Sequence, residues 1–211
     1  MHAPSHDPPS HRARLIGLLG VDGAGKTTQA TMTAEWLKSR GQRVILHPNE
    51  SLQPLKSAFR SIAERRGQPF VDRFLSSESV QLALTVVKWN TMAKINSLIS
   101  SADFIVLDRY VQCQIASANC QGLSNRGLIE DLCSVLPPLD LTIFMDIPVS
   151  EAVVRIRRRG TDEPEAPFME SHSREYMRLL ETQRHVRINA ARSVDVIQRD
   201  IRTAISAAFD L

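Results

Sequence analysis

The stretch "LLGVDGAGKTTQA", from Leu18 to Ala30, decides how this chain is to be interpreted. It sets three glycines, one lysine and two threonines between an apolar run and a segment with a helical pattern. Glycine lets a backbone turn sharply and approach a ligand closely, and the lysine adds a mobile positive charge. The composition of this stretch therefore predicts a loop that holds phosphate groups.

The residues from Gly20 to Thr27 match the full pattern G-x-x-x-x-G-K-[ST], and they lie between a predicted strand and a predicted helix. In such a loop, backbone N–H groups and the helix N-terminus face phosphate oxygens, while a Thr27 hydroxyl is suited to Mg²⁺. We therefore predict that the loop binds a nucleoside triphosphate with Mg²⁺. The residues predicted to hold it are Gly20, Asp22, Gly23, Ala24, Gly25, Lys26, Thr27 and Thr28.

Apolar runs alternate with helical patterns along the rest of the chain. Strands are predicted at 14–20, 43–47, 103–108, 139–146 and 194–198, and helices at 26–39, 150–159 and 170–189, with others between. This alternation predicts a doubly wound α/β domain: a five-stranded parallel sheet with helices on both faces. A chain of 211 residues is long enough to form one such domain, predicted at 13–211, and the Pro- and His-rich residues 1–12 are expected to be a flexible tail.

The composition of the chain argues against several classes of binding partner. The net charge is only +3 and the basic residues are spread along the chain, so no nucleic-acid-binding face is expected. No run approaches the roughly 20 apolar residues that span a bilayer, and we expect a cytoplasmic protein without a membrane partner. Cys113, Cys120 and Cys133 lack C-x-x-C spacing, which favours buried free thiols in a reducing compartment over a disulfide or zinc site.

A second motif follows the predicted strand at 103–108, where Asp108 and Arg109 come directly after an apolar run. Because the carboxyl ends of parallel strands share one edge of a sheet, we expect both side chains to face the phosphate loop. Asp108 would bind Mg²⁺ or its water shell, and Arg109 would clamp a phosphate with two hydrogen bonds.

Three segments together resemble the thymidylate kinase family of nucleoside monophosphate kinases: "GVDGAGKTTQ" at 20–29, "LDRYV" at 107–111 and "RIRRRG" at 155–160. The resemblance covers nearly everything after the tail. It implies the P-loop nucleoside monophosphate kinase fold, ATP as phosphate donor, dTMP as acceptor and a homodimer packed through helices. It also implies a lid at about 157–168.

The resemblance assigns roles to individual side chains. Asp22 would contact the sugar of the acceptor, and Lys26, Asp108 and Arg109 would form the phosphate machinery. Because the loop has a small residue at Ala24, the catalytic arginine is expected from the lid, and the candidates are Arg155 and Arg159.

The departures from the family fall where the acceptor should bind. Leu84 occupies the position at which the family has a phenylalanine that stacks on the base. Lys88 occupies the position of an arginine that hydrogen-bonds to the base edge. Cys113 and Gln114 stand where small polar residues face the base, and Ser117 where an aromatic ring crowds the 2′ position of the sugar. The resemblance thus implies dTMP or a related, including modified, pyrimidine nucleotide as acceptor, with more room at the 2′ position.

Two other functions stay open at this point. A deoxynucleoside kinase must deprotonate a neutral 5′-hydroxyl, and Glu50 is the carboxylate that would do so. An ATP-binding regulatory protein without turnover would bind nucleotide and transfer nothing. A GTP switch is disfavoured because the sequence has no N-K-x-D segment to read guanine.

Overall fold

The computed structural model describes residues 12–50, 52–68, 75–160, 165–181 and 183–211. Its strands are β1 (Arg14–Leu19), β2 (Val44–His47), β3 (Phe104–Asp108), β4 (Leu141–Asp146) and β5 (His185–Asn189). Its helices are α1 (Lys26–Ser39), α2 (Gln53–Arg65), α3 (Ser77–Ala93), α4 (Ile95–Leu98), α5 (Gln112–Cys120), α6 (Arg126–Ser134), α7 (Val149–Arg159), α8 (Ala166–Leu180) and α9 (Val194–Phe209).

The five strands form one parallel sheet in the order β2-β3-β1-β4-β5. The predicted doubly wound α/β fold is therefore confirmed. The chain leaves β1 toward β2 and β3 and later crosses to β4 on the other side of β1, so the strand order reverses at β1. In sheets of this kind ligands bind beyond the carboxyl ends of the strands at the reversal point, which here is the end of β1.

The central strand β1 is buried on both faces, as expected for a strand in the middle of a parallel sheet. Its side chains alternate, so that Ile16 and Leu18 belong to one core and Leu15 and Leu19 to the other. The first core includes residues of α1, α7 and α9, and the second includes residues of α5, α6 and α8. Helix packing on both faces fixes the end of β1 in place.

The fifth strand is where the sequence-based prediction was wrong. The predicted helix at 170–189 ends at Leu180 in the structure, and the predicted strand at 194–198 is the beginning of α9. The strand is instead "HVRIN", His185–Asn189, which pairs with β4. The β-branched run "VDVI" suggested a strand, but the buried Ile197, Ile201 and Ile205 follow at helical spacing and pack as one face of α9.

Other expectations about the chain lie partly outside the described residues. Of the predicted tail, 1–11 is outside them, while the Arg12 guanidinium donates to the carbonyl oxygen of Pro138 at 3.4 Å and pairs with Asp140. Of the predicted lid, 161–164 is outside them. All three cysteines are free, and Cys113 and Cys133 are buried. No helix in the described ranges is long and apolar enough to cross a membrane.

We predict opposite effects for two glycine-to-alanine substitutions. A Cβ at Gly23, which has φ +81°, would lie 2.7 Å from the carbonyl oxygen of Ala152, so Gly23→Ala should destabilise the protein by about 1–2 kcal/mol or more. Gly127 lies in α6 beside open space, and Gly127→Ala should stabilise by about 0.5–1 kcal/mol. Urea denaturation measures both; a Gly23→Ala protein as stable as the wild type would contradict the packing of the loop under α7.

Candidate active site

The loop between β1 and α1 wraps tightly because its glycines adopt conformations that other residues rarely take. Gly20, Gly23 and Gly25 have φ values of 142°, 81° and 84°. A Cβ at Gly20 would lie 2.6 Å from the carbonyl oxygen of Met145 in β4. Since α1 begins directly after the loop, its N-terminal N–H groups and their positive potential lie at the end of β1. This is the backbone arrangement that binds phosphate.

The Thr27 hydroxyl and the Asp108 carboxylate meet across the sheet edge. Pairing of β1 with β3 sets Leu18 beside Asp108, and Thr27 Oγ1 donates a hydrogen bond to Asp108 Oδ2 at 2.6 Å. Asp108 is buried, and its other oxygen, Oδ1, has no hydrogen-bond partner among the described residues. A buried carboxylate oxygen without a donor is unfavourable unless something binds it.

Mg²⁺ fits this pair of oxygen ligands, because it prefers hard oxygen donors and usually takes only one or two from protein. Within the described part of the chain no three His, Cys, Asp or Glu side chains gather into a metal site. Thr27 and Asp108 lie together as predicted, and their role as Mg²⁺ ligands stays a prediction.

Lys26 is buried at the start of α1, and its Nζ donates to the carbonyl oxygen of Val21 in its own loop at 2.6 Å. Burial and, to a smaller extent, the nearby charge of Arg109 lower the pKa of Lys26 to about 7, against the opposite effects of Asp22 and Asp108. Because the charged form of Lys26 is unfavourable in these surroundings, a nearby anion would stabilise it strongly. Bound phosphates would therefore favour the ammonium form.

Arg109 joins the loop to the neighbouring cavity. Its N–H donates to the carbonyl oxygen of Leu18 at 3.1 Å, its guanidinium pairs with the Asp22 carboxylate, and Nη1 donates to the carbonyl oxygen of Gly20 at 3.3 Å. Burial works to lower the pKa of Arg109, but the charge of Asp22, together with smaller effects of Tyr176, Cys113 and Asp108, outweighs burial and the pKa is raised. The residue has φ 72°, a left-handed conformation that is uncommon outside glycine and concentrates at functional sites.

The arginines at the end of α7 differ in their surroundings. The Arg155 guanidinium donates to the carbonyl oxygen of Ala190 at 3.0 Å and to Glu151 at 2.6 Å, which ties it to the start of the β5–α9 connection. Arg159 instead acts on the phosphate loop, since its charge is among those that hold the pKa of Asp22 below its usual value against the effect of burial. The charge of Arg159 thus reaches the loop residue Asp22, whereas the guanidinium of Arg155 is engaged with Glu151 and Ala190.

A cavity of about 580 Å³ lies beside the loop. All seven side chains predicted for the acceptor line it: Asp22, Leu84, Lys88, Arg109, Cys113, Gln114 and Ser117. Its volume is within the range of small-molecule sites. Leu84 and Lys88 are one turn apart on α3, as the spacing predicted. Of the other five, Asp22 lies on the loop, Arg109 directly follows β3, and Cys113, Gln114 and Ser117 lie on α5.

Several residues of the cavity were missed by the sequence analysis. Gln81 Nε2 donates to Gln114 Oε1 at 3.1 Å, and Lys88 Nζ donates to Asn49 Oδ1 at 2.8 Å. Burial lowers the pKa of Lys88. Gln81 lies one turn before Leu84 on the same helix, so its spacing was the signal that could have identified it.

A row of rings on α8 forms the remaining wall. Phe168, His172 and Tyr176 are four residues apart, with ring centroids separated by 5.3 Å and 4.7 Å, and the first two line the cavity. His172 Nε2 lies 3.5 Å from Ser117 Oγ and 3.4 Å from the carbonyl oxygen of Cys113. Burial lowers the pKa of His172 to about 4, so its imidazole is neutral. An imidazole therefore borders the space beside Ser117 that the sequence analysis expected to be open.

The fold and the site define a P-loop phosphotransferase, with a phosphate loop, an oxygen pair suited to Mg²⁺ and a separate cavity for a second substrate. Comparison with known proteins identifies the family. The family model for thymidylate kinase matches residues 19–201. A probable thymidylate kinase of Pyrococcus horikoshii is 32% identical over 196 residues, covering 90% of this chain and 94% of the relative.

Two further relatives are also named as thymidylate kinases. A probable thymidylate kinase of Methanothermobacter thermautotrophicus is 33% identical, covering 91% of this chain and 94% of the relative. The thymidylate kinase of Xanthomonas campestris pv. campestris is 30% identical, covering 69% of this chain and 61% of the relative. This chain belongs to the thymidylate kinase family, and the resemblance noted in the sequence is confirmed.

We predict that ATP binding above neutral pH takes up a proton at Lys26. With a pKa of about 7 the free amine predominates at about pH 8.5, whereas bound phosphates favour the ammonium form and raise the pKa. Binding should therefore take up roughly one proton, and the affinity for ATP should fall as the pH rises above 7. Titration calorimetry in buffers of different ionisation enthalpy measures the uptake, with Lys26→Met as control. Equal uptake by wild type and Lys26→Met would contradict the assignment.

Proposed function

We propose that this chain transfers the γ-phosphoryl group of ATP to the phosphate of dTMP or of a closely related pyrimidine nucleoside monophosphate. The observation that carries the proposal is the position of Arg109. Its guanidinium contacts the phosphate loop through Gly20 and Asp22 and also lines the acceptor cavity. A phosphoryl group moving from loop to cavity would pass this cation, which suits a group that stabilises charge during transfer.

The proposed chemistry needs no general base, because a phosphate oxygen of the acceptor is already an anion. This oxygen forms the new bond to the γ-phosphorus, while the bond to the oxygen that bridges the β- and γ-phosphates breaks and ADP leaves. Lys26, Arg109 and Arg159 supply positive charge along this path. Mg²⁺, if bound by Thr27 and Asp108, would neutralise charge on the donor phosphates.

The buried Lys88 in the cavity lining favours a base with a carbonyl group. Lys88 is 2% exposed, and its ammonium group can only donate hydrogen bonds. A uracil or thymine O4 accepts such a bond, whereas the exocyclic amine of cytosine cannot. The paired amides of Gln81 and Gln114 also line the cavity and supply both donors and acceptors.

A deoxynucleoside kinase remains the second candidate, because Glu50 lines the same cavity. Its Oε2 accepts a hydrogen bond from Thr91 Oγ1 at 3.0 Å, so the carboxylate is engaged with α3. A kinase of this kind would phosphorylate thymidine and ignore dTMP. The regulatory alternative would show ATP binding with no transfer to either.

The proposal also includes features of the whole protein. The lid at about 157–168 would close over the donor, with Arg159 facing the transfer path and Arg155 held toward the β5–α9 connection. A homodimer would cover exposed apolar side chains such as Val86 and Val87 on α3 and Leu128 on α6. A cytoplasmic location, where ATP and nucleotides are available, belongs to the same proposal.

The test is ADP release from ATP and Mg²⁺ with thymidine, dTMP, dUMP and dCMP, with products identified by chromatography. We expect transfer to dTMP and dUMP, and a kcat/KM for dUMP at least about tenfold above that for dCMP, since the two differ where Lys88 donates. Lys88→Gln, whose amide both donates and accepts, should reduce this ratio. Transfer to thymidine alone would support the second candidate, and transfer to none would contradict both kinase functions.

A further inference from the structure

The two tyrosines of the chain are both buried, but only one of them has a well-aligned hydrogen bond within the described part of the chain. The Tyr110 hydroxyl donates to the carbonyl oxygen of Pro137 at 2.7 Å. The Tyr176 side chain is 0% exposed, and its hydroxyl interacts with the Arg109 side chain but has no well-aligned hydrogen bond to any residue that the structure describes. A buried hydroxyl without a well-aligned hydrogen bond destabilises the fold compared with phenylalanine, so the presence of Tyr176 suggests a better-aligned bond in another state of the protein.

The ring of Tyr176 is fixed on two sides, which limits where the hydroxyl can reach. It packs on the imidazole of His172 at a centroid distance of 4.7 Å and on Phe144 of β4 at 5.9 Å. Arg109 and Tyr176 act on each other electrostatically, and Asp22 also acts on the phenol. The hydroxyl therefore lies beside Arg109, on the side toward α8.

Bound phosphates would compete with the present partners of Arg109. In the structure its guanidinium is held by the Asp22 carboxylate and the carbonyl oxygen of Gly20. The Asp22 side chain is 66% exposed and lies on the phosphate loop, where it competes with phosphate for the same cation. A neutral phenol oxygen, in contrast, accepts a hydrogen bond from the guanidinium without neutralising it, which leaves its full charge for the phosphate.

We propose that Tyr176 is a positioning residue for Arg109. Its hydroxyl oxygen accepts a hydrogen bond from the guanidinium while phosphates are bound. This bond orients the guanidinium so that its N–H groups point toward the phosphoryl group that is transferred. The inference rests on the proposed function, because it requires Arg109 to contact the moving phosphoryl group. Through this hydrogen bond, a residue of α8 would directly orient the guanidinium of Arg109 beside the path of the phosphoryl group.

The test compares Tyr176→Phe with Tyr110→Phe as a matched control. Tyr176→Phe removes a hydroxyl without a well-aligned hydrogen bond, so its Tm should equal or exceed that of the wild type, while kcat should fall about tenfold with KM for ATP and dTMP within about twofold. Tyr110→Phe removes a satisfied hydrogen bond, so its Tm should fall while kcat is unchanged.

A double-mutant cycle with Arg109→Lys separates positioning from packing. If Tyr176 acts through the guanidinium, Tyr176→Phe should lower kcat no further in the Arg109→Lys background. A Tyr176→Phe protein with wild-type kcat, or an equal further loss in that background, would overturn the inference alone. A wild-type protein that transfers no phosphoryl group to any monophosphate would overturn the proposed function and this inference with it.

Discussion

The hydrogen bond from Thr27 to Asp108 is the contact on which the site depends. It joins the first turn of α1 to the end of β3, and it forms because β1 and β3 pair in a register that sets Leu18 beside Asp108. The same register brings Arg109 onto the loop, where its N–H reaches the carbonyl oxygen of Leu18. Phosphate loop, carboxylate and guanidinium therefore converge at the reversal point of the sheet, and the acceptor cavity opens directly beside them.

The charges buried around this contact explain what the site is built to bind. Lys26 and Lys88 are almost fully buried, and burial lowers the pKa of both. Holding ammonium groups in such surroundings is unfavourable unless anions or strong acceptors approach them. Phosphates at the loop and a base carbonyl in the cavity would supply both. The site thus favours its ligands because its buried ammonium groups are unfavourable until phosphates or a base carbonyl bind beside them.

Much of this arrangement could be predicted from the sequence because it depends on local patterns. The strand β1, the loop motif and the pair Asp108–Arg109 are adjacent in sequence to the elements that position them, so a parallel sheet was enough to bring them together. The error at the fifth strand arose because "VDVI" has strong β-propensity, whereas the packing of Ile201 and Ile205 further along made it a helix. In this segment tertiary packing outweighed the local preference for a strand.

The α8 wall of the cavity could not be predicted for a different reason. Phe168 and His172 are more than 50 residues from Cys113 and Ser117 in the chain, and no motif links them. Only the packing of α8 on α5 brings them to the cavity. Their regular spacing indicated one face of a helix but not which surface that face would meet.

The central claim is that Thr27 and Asp108 form a Mg²⁺ site that serves the phosphate loop, and the Mg²⁺ dependence of ATP binding tests it most directly. Calorimetric Kd values with and without Mg²⁺ would be compared for wild type, Asp108→Asn and Asp146→Asn, a matched control whose carboxylate pairs with Arg187 at the end of β4. We predict that Mg²⁺ tightens binding at least about tenfold in wild type and Asp146→Asn, and that Asp108→Asn loses most of this effect. An undiminished effect of Mg²⁺ in Asp108→Asn would contradict the account.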